Sequence, residues 1–492
     1  MTEAEEKKLL TICNRLKKLA DKAIKSHQYE KAMAAIASCA QLFYEYNQFY
    51  TDDRLEQQIQ DIAAAWHEKY KQSLKDFQAD SNTVLFYDSF GLDTRGIALM
   101  YMNALAKLGY HVIYVTTAKA KGKQPAIHQV VVGGEVEFIY IQMDKRYLEW
   151  SKQLYRVILE KRPRTMFFYT TPSDVSGATV FSLFQGKTDR FLVDLTDHAF
   201  WLGVRCNDYF IGGRDISASN QHYHRKISKE KLIRLDVNLL VEPISIHEGL
   251  PFDVEHEPYI FSGGALYKTL GDKEHLYYKI VRHILQQHTS IRFLYAGSGD
   301  ASLMKDLITE FPGRVFLIHE RKDFYYLIEN AILYLNTYPM FGGMMMRYAA
   351  MAGKIPITLC HEQDADNILI DQSERKVEYA SYQDLIADVD NLLADEEYRK
   401  GREALLDGAV MTEQTFMDNL NRAIREHKTE FTHHFEEIDT SKFQREYYRR
   451  FNLENSLMHV VSKKNLLLLN ECPWMYRILF RKVFQKLKRV KR

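Results

Sequence analysis

Four apolar, strand-like runs in the second half of this 492-residue sequence end in residues suited to a phosphate. Their ends read Ser262-Gly263-Gly264, Gly297-Ser298-Gly299, His319-Glu320-Arg321 and Phe341-Gly342-Gly343. Glycine lets a backbone approach a ligand closely, and a helix opening after it aims free N–H groups and a positive dipole end at an anion. The last of the four is the most informative. Residues 331–335 (AILYL) read as a buried strand, and Met345, Tyr348, Ala349 and Ala352 then recur at helical spacing. Gly353 closes that helix and a further strand follows at 355–359. The amides of Gly343, Met344 and Met345 would then face a diphosphate, over a flexible apolar floor of methionines. Lys268, His319 and Arg321 would add positive charge, with Gly263, Gly264, Gly297 and Gly342 shaping the rim. The same glycines could simply let strands turn into helices, and that reading stays open.

The first half offers acid–base groups instead. Asp197-His198 follows a strand read at 191–195, and Asp93 lies in the loop 88–96 after the first strand. Imidazole titrates near neutrality, so His198 is the first candidate for a general base, with Asp197 and Asp93 next. Asp208 and Arg214 are read as orienting their loop. Asp364-Ala365-Asp366 is an acid pair of the kind that can hold a metal, but it opens a helix, where acids are common, so no metal is expected. His222-Tyr223-His224 lacks a carboxylate or cysteine at ligand spacing and reads as a polar loop.

The elements that must position these groups fall into blocks. Residues 1–80 show three helical apolar stripes, a helical cap. From 83 onward strands at 84–87, 111–116, 136–141, 165–169 and 191–195 alternate with helices such as 95–108 and 147–161. A polar stretch at 245–257, followed by Pro258, reads as a linker. The alternation then restarts with strands at 259–261, 292–296 and 315–318 and helices between them. Such alternation implies parallel sheets wrapped by helices, here two doubly wound α/β halves facing a cleft. The expected domains are 1–80, 81–250, 258–425, and a helical return segment with a basic tail at 426–492.

Composition is that of a globular chain, 46% hydrophobic and 27% charged. No apolar run approaches the roughly 20 residues a bilayer-spanning helix needs, and the charged start MTEAEEKKLL is unlike a signal peptide. Five scattered cysteines without a CxxC argue against a disulfide framework and favour the cytoplasm. The net charge of +1 conceals an asymmetry. Residues 441–492 hold 14 Lys+Arg against 3 Asp+Glu, a net of +11, leaving −10 for the other 440. In 472–492 Trp474, Ile478, Leu479, Val483, Phe484 and Leu487 share a helical face, and Arg477, Arg481, Lys482, Lys486 and Lys488 crowd the rest. That pattern suits an anionic membrane surface, with nucleic acid disfavoured because no basic-aromatic platform accompanies it.

Two motifs carry a family resemblance. Leu335-Asn336-Thr337-Tyr338-Pro339 followed by Phe341-Gly342-Gly343 resembles the D-T-x-P…G strand end before the diphosphate helix of GT-B glycosyltransferases. Residues 194–215 (DLTDHAFWLGVRCNDYFIGGRD) resemble the H-x-F-W-L-G…D-Y-x-I segment of their cytoplasmic bacterial protein glucosyltransferase and O-GlcNAc transferase-like group. The likeness spans about 83–425. It implies two Rossmann-like domains, with the second binding a nucleotide-sugar donor, UDP-linked by expectation. The reading is then a metal-independent hexosyltransferase without a cofactor: the basic tail favours a cell-surface glycan or lipid-linked acceptor at the inner membrane leaflet, the helical cap and the resemblance a protein acceptor, and both stay open. Members usually place an acid five residues before the glycine of the A-x-G-x-P turn to hold the ribose hydroxyls; Tyr348 stands at that offset from Gly353. A phenol cannot clamp two hydroxyls as a carboxylate does. A degenerate glycosyltransferase that partners an active one is therefore the alternative, and an epimerase of the same fold a third reading.

Overall fold

A computed structural model describes residues 2–46, 49–93, 97–143, 146–241, 244, 247–254, 256–360, 368–437, 439, 457, 460, 473 and 475–490. The chain divides into two compact units, Met1–Asp236 with Phe416–Arg492, and Val237–Thr415.

The first unit opens with α1 (Glu3–Lys25), α2 (Tyr29–Tyr46) and α3 (Asp53–Lys75). Thr2 and Glu5 form a reciprocal capping box on α1, and Asp52 caps α3 through the Leu55 amide at 3.0 Å. Then follow β1 (Asp80–Asp88), α4 (Ala98–Lys107), β2 (His111–Thr117), α5 (Pro125–Val130), β3 (Val136–Ile141), α6 (Tyr147–Lys161), β4 (Pro163–Tyr169), α7 (Val175–Leu183), β5 (Asp189–Val193), β6 (Tyr209–Gly212), α8 (Asp215–Ser219) and β7 (Leu232–Arg234). All seven strands are parallel, in the order β3-β2-β1-β4-β5-β6-β7. The N-terminal helices share one buried core with the sheet: Leu16, Ile36, Ile59 and Trp66 belong to the cluster that holds Leu85, Phe168 and Phe181. Two carboxylates fasten them further. Glu30 accepts the amides of Tyr147 and Leu148 at the start of α6, and buried Glu56 accepts those of Gly203 (2.8 Å) and Arg205 (3.1 Å).

The second unit holds β8 (Tyr259–Gly263), α9 (Leu276–Gln287), β9 (Arg292–Ala296), α10 (Ser302–Glu310), β10 (Val315–Ile318), α11 (Phe324–Glu329), β11 (Leu333–Leu335), α12 (Gly343–Met351), β12 (Pro356–Leu359), α13 (Gln372–Arg375), β13 (Glu378–Tyr379), α14 (Tyr382–Ala394) and α15 (Glu396–Ala404). Its six strands are parallel in the order β10-β9-β8-β11-β12-β13. Alternating residues serve opposite faces. Ile260, Leu333 and Leu335 enter one core cluster, while Tyr259, Phe261 and Tyr334 enter another.

Helix α16 (Glu413–Glu426) carries the chain back to the first unit. There Phe416 packs edge-on against Tyr101 at 5.4 Å, and Asn421 accepts the Tyr110 hydroxyl at 2.7 Å. Helix α17 (Met475–Val490) follows, with Met475 buried in the first unit's core. Among the described residues no helix is long and apolar enough to cross a membrane. Strands β6 and β7, four and three residues long, carry too little periodicity to be read from the sequence. The helix expected at 95–108 is described from Ala98.

Candidate functional site

Each sheet reverses its strand order once, and in open α/β sheets ligands settle beyond the strand C-termini at that reversal. In the second unit the reversal lies between β8 and β11. The loops leaving those two strands are the Ser262-Gly263-Gly264 turn with Lys268, and the 336–342 turn that opens α12. They touch: the Met340 amide donates to the Lys268 carbonyl at 3.2 Å.

The 336–342 turn is organised by Asn336. Its side-chain oxygen accepts the amides of Thr337 (3.0 Å) and Gly342 (2.8 Å), and its Nδ2 donates to Thr358 Oγ1 at 3.2 Å. The next amides, those of Gly343, Met344 and Met345, meet no acceptor among the described residues, and no side chain caps the helix. Three N–H groups therefore open at the positive end of a nine-residue helix. Gly342 has φ −101° and Gly343 is helical, so a left-handed backbone is not why glycine stands at either. At Gly343 a Cβ would come within 2.9 Å of Ile368 Cδ1, the end of a flexible side chain, and within ordinary contact of Phe341 Cε2 at 3.7 Å. Steric demand is sharper at Gly297, where a Cβ would fall 1.9 Å from the Gly264 carbonyl oxygen, and Gly264 itself needs φ +133°. Met345 lies half-buried with its methyl near Gly263, whereas Met346 is fully buried in the core.

The cations of this rim differ. Lys268 is half-buried against Gly264, pairs with no carboxylate among the described residues, and is pushed below the usual lysine range by that burial. Arg321 is fully engaged: it donates to Asp323 (2.7 and 2.5 Å), to the Gly249 carbonyl (3.0 Å) and to the Glu248 carbonyl. Its guanidinium anchors the 248–249 segment rather than standing free for a phosphate. His319 is exposed, with Nε2 3.3 Å from Glu248 Oε2. Tyr348 sits edge-on to Phe324 (4.8 Å), its hydroxyl 3.4 Å from the Leu240 carbonyl, and burial lifts it to about 12.

In the first unit the reversal lies between β1 and β4. There Asp88 is buried; it accepts the amides of Phe90 (2.8 Å) and Gly91 (3.0 Å) and the Tyr114 hydroxyl (2.6 Å). Burial raises it to about 6 against these hydrogen bonds. Asp93 has a local task. Its carboxylate accepts the Ala126 (3.1 Å) and Ile127 (3.0 Å) amides and caps α5, which turns it away from acid–base duty.

Asp197 and His198 follow β5. Burial alone would raise the Asp197 carboxyl, but Arg214 and His198 outweigh it and hold the group well below the usual range. Arg214 donates to Oδ2 through Nε at 2.7 Å, and His198 Nδ1 stands 3.5 Å from Oδ1. The imidazole is 41% exposed, so it can meet a ligand while Asp197 sets its orientation. Asp208, by contrast, holds buried Arg190 through two contacts at 2.9 and 2.6 Å.

Two residues near His198 escaped the sequence reading. Arg225 is buried under Trp201 (4.4 Å to the ring) and Tyr50 (5.1 Å); it donates to the Ala199 carbonyl, while Nε and Nη1 have no partner among the described residues. Asp194 accepts Gln221 (2.6 Å) and Ser217 (3.1 Å), and is raised by burial and then by the Asp197 charge. The π-helical turn Asn220–His224 that delivers Arg225 was legible only as a polar loop. A cavity of about 710 Å³ beside Arg164, Lys187 and His427 lies at the opposite, N-terminal strand ends of this unit. Among the described residues no cluster of three His, Cys, Asp or Glu is arranged for a metal, and Asp364 and Asp366 lie outside them.

Neither a protein-family model nor a curated protein sequence matches the chain. Solved structures do. A single-residue variant of the Thermobaculum terrenum O-GlcNAc transferase superposes with a TM-score of 0.52 at 14% identity, covering 84% of this chain and 84% of its own. A glycosyltransferase from Rickettsia africae gives 0.54 at 10% identity, over 70% of this chain and 98% of its own. A putative UDP-N-acetylglucosamine 2-epimerase from Listeria monocytogenes gives 0.51 at 12%, over 71% and 97%. With two parallel sheets each reversing once and helices about them, the chain has the GT-B fold seen in those glycosyltransferase and epimerase structures.

Proposed function

We propose that the chain is a glycosyltransferase that takes a sugar from a nucleotide-sugar donor, with the diphosphate on the second unit. The observation that carries this is the α12 N-terminus: among the described residues the amides of Gly343, Met344 and Met345 lack acceptors at the strand-order reversal, and Lys268 in the loop beside them pairs with no carboxylate. An anion there would satisfy three donors and restore a desolvated ammonium. A UDP-sugar fits this arrangement, and the fold is shared with an O-GlcNAc transferase and a putative UDP-N-acetylglucosamine epimerase. In the transfer, the bond from the anomeric carbon to the diphosphate breaks and a bond to an acceptor oxygen forms. His198 takes the acceptor's proton, with Asp197 and Arg214 holding the imidazole in place. The acceptor we assign is a glycan, lipid-linked or protein hydroxyl.

The test is titration of UDP into Gly343→Val beside a thermal melt. The tight contact of the added Cβ is with the flexible end of Ile368, so the variant should fold, as the melt checks, and lose UDP affinity by more than about tenfold, roughly 1.4 kcal/mol. Unchanged affinity in a folded variant refutes the site.

A second reading has its own support. Tyr348 turns its hydroxyl to the Leu240 carbonyl inside an aromatic cluster, leaving the ribose without the usual carboxylate. On that reading the chain is a degenerate partner of an active glycosyltransferase. UDP release from a UDP-sugar that depends on added acceptor supports transfer; UDP binding without turnover supports the partner; conversion of the sugar without acceptor supports an epimerase.

A further inference from the structure

The last helix of the chain turns some of its apolar side chains into the first unit and shows others to solvent. Met475 is buried in that unit's core beside Leu457 and Val460, and Leu479 packs against it. Other apolar side chains of the helix are exposed, Phe480 by 71%, Phe484 by 64% and Val483 by 50%. With Tyr476, these make four of the nine large hydrophobic side chains exposed among the described residues, all within one helix. The face read from the sequence as a single stripe is thus split, with Leu479 turned inward and Val483 and Phe484 outward. Tyr476, Phe480 and Phe484 recur at spacing four and form one ridge, and exposed Arg477 and Arg481 form the next.

We propose that this ridge of α17 docks the protein on an anionic lipid surface, the rings at headgroup depth and the basic side chains against the lipid phosphates. Residues 472–492 contain eight Lys+Arg and no Asp or Glu, so the exposed rings sit in the most positive segment of a chain whose first 440 residues carry −10. Aromatic rings interleaved with arginine and lysine on an in-plane helix match a charged bilayer interface. A symmetric second copy is a poorer occupant, because it would bring the same positive charge against itself.

The experiment uses the full chain and vesicles of phosphatidylcholine with or without phosphatidylglycerol. Wild type should co-sediment with the phosphatidylglycerol vesicles and not with phosphatidylcholine alone. Binding should weaken at least tenfold when salt rises from about 0.1 to 0.5 M, because the attraction is screened. Phe480→Ser with Phe484→Ser should weaken it at least tenfold while the melting temperature stays that of wild type, since both rings are exposed. Arg477→Gln with Arg481→Gln should weaken it for phosphatidylglycerol vesicles only. Equal binding by the double-serine variant, or equal binding to both vesicle types, overturns the proposal. So does a vesicle-independent oligomer of wild type that the double-serine variant dissolves, which would make a second copy the occupant.

Discussion

The C-terminal rims of the two sheets share a strand order and differ in how their polar groups are satisfied. Around β1 and β5 of the first unit, Asp88, Asp93, Asp194 and Asp197 all accept hydrogen bonds from nearby amides, hydroxyls, amide side chains or Arg214. Of that network the imidazole of His198 stands well out into solvent, 41% exposed against 10% for Asp197 and 21% for Arg214. Around β8 and β11 of the second unit, three helix amides and one ammonium have no partner among the described residues. Burying unpaired donors costs free energy unless a ligand supplies the acceptors. The first rim thus holds its carboxylates still, while the second leaves donors to which the proposed diphosphate would bring acceptors.

His198→Ala tests the first rim most directly. If this imidazole takes the acceptor proton, turnover should fall on the order of 100- to 10,000-fold. UDP affinity should stay within about twofold, because the proposed diphosphate site lies on the other rim. Steady-state rates beside UDP titration check both, and an unchanged rate makes His198 structural.

Next come the two cations of the second rim, which the comparison treats as opposites. Arg321→Met strands buried Asp323 and two backbone carbonyls, and should cost about 3–5 kcal/mol of stability. Lys268→Met removes a desolvated charge that has no carboxylate partner among the described residues, so its melting temperature should hold or rise. Its UDP affinity should nevertheless drop by more than about tenfold, roughly 1.4 kcal/mol. Melts and titrations of both variants would show the two losses in different assays; the same pattern for both defeats the distinction.

Asp88 supplies a pH prediction. Its folded value of about 6 lies above the ordinary 3.8, so the folded state binds the proton more tightly. The resulting stability is fully present below the ordinary value and is lost as pH rises through about 6. Over that window Asp88 accounts for about 3 kcal/mol. Asp88→Asn, compared with wild type by denaturant unfolding between about pH 4 and 6, should flatten the fall in stability by that amount. Parallel curves would show that Asp88 is not the titrating group.

The smallest expected effect belongs to Asp93. Asp93→Ala leaves the Ala126 and Ile127 amides uncapped and should cost about 1 kcal/mol in a melt, with turnover per folded molecule unchanged. A large loss of rate without loss of stability would return Asp93 to catalysis.

Local features were legible from the amino-acid sequence. The strand leading to Asn336, the helix closed by Gly353 at φ +69°, and glycines at strand ends all follow from spacing within a few residues. That suffices because apolar period and turn chemistry act over one or two turns of chain. Short β6 and β7, and the π-helical turn before Arg225, lacked such a period and were missed. The sequence by itself thus determined an alternating α/β chain, a glycine-rich second half and a basic last helix. Folding settled the strand order that puts β8 beside β11, the engagement of Arg321 by carbonyls 72 and 73 residues away, and the lack of a carboxylate beside Lys268 among the described residues. It also decided which apolar side chains of the last helix stay exposed. In each case the reason is the same: whether a polar or apolar group is satisfied depends on partners distant in the chain, and only folding brings those partners within hydrogen-bond or contact range.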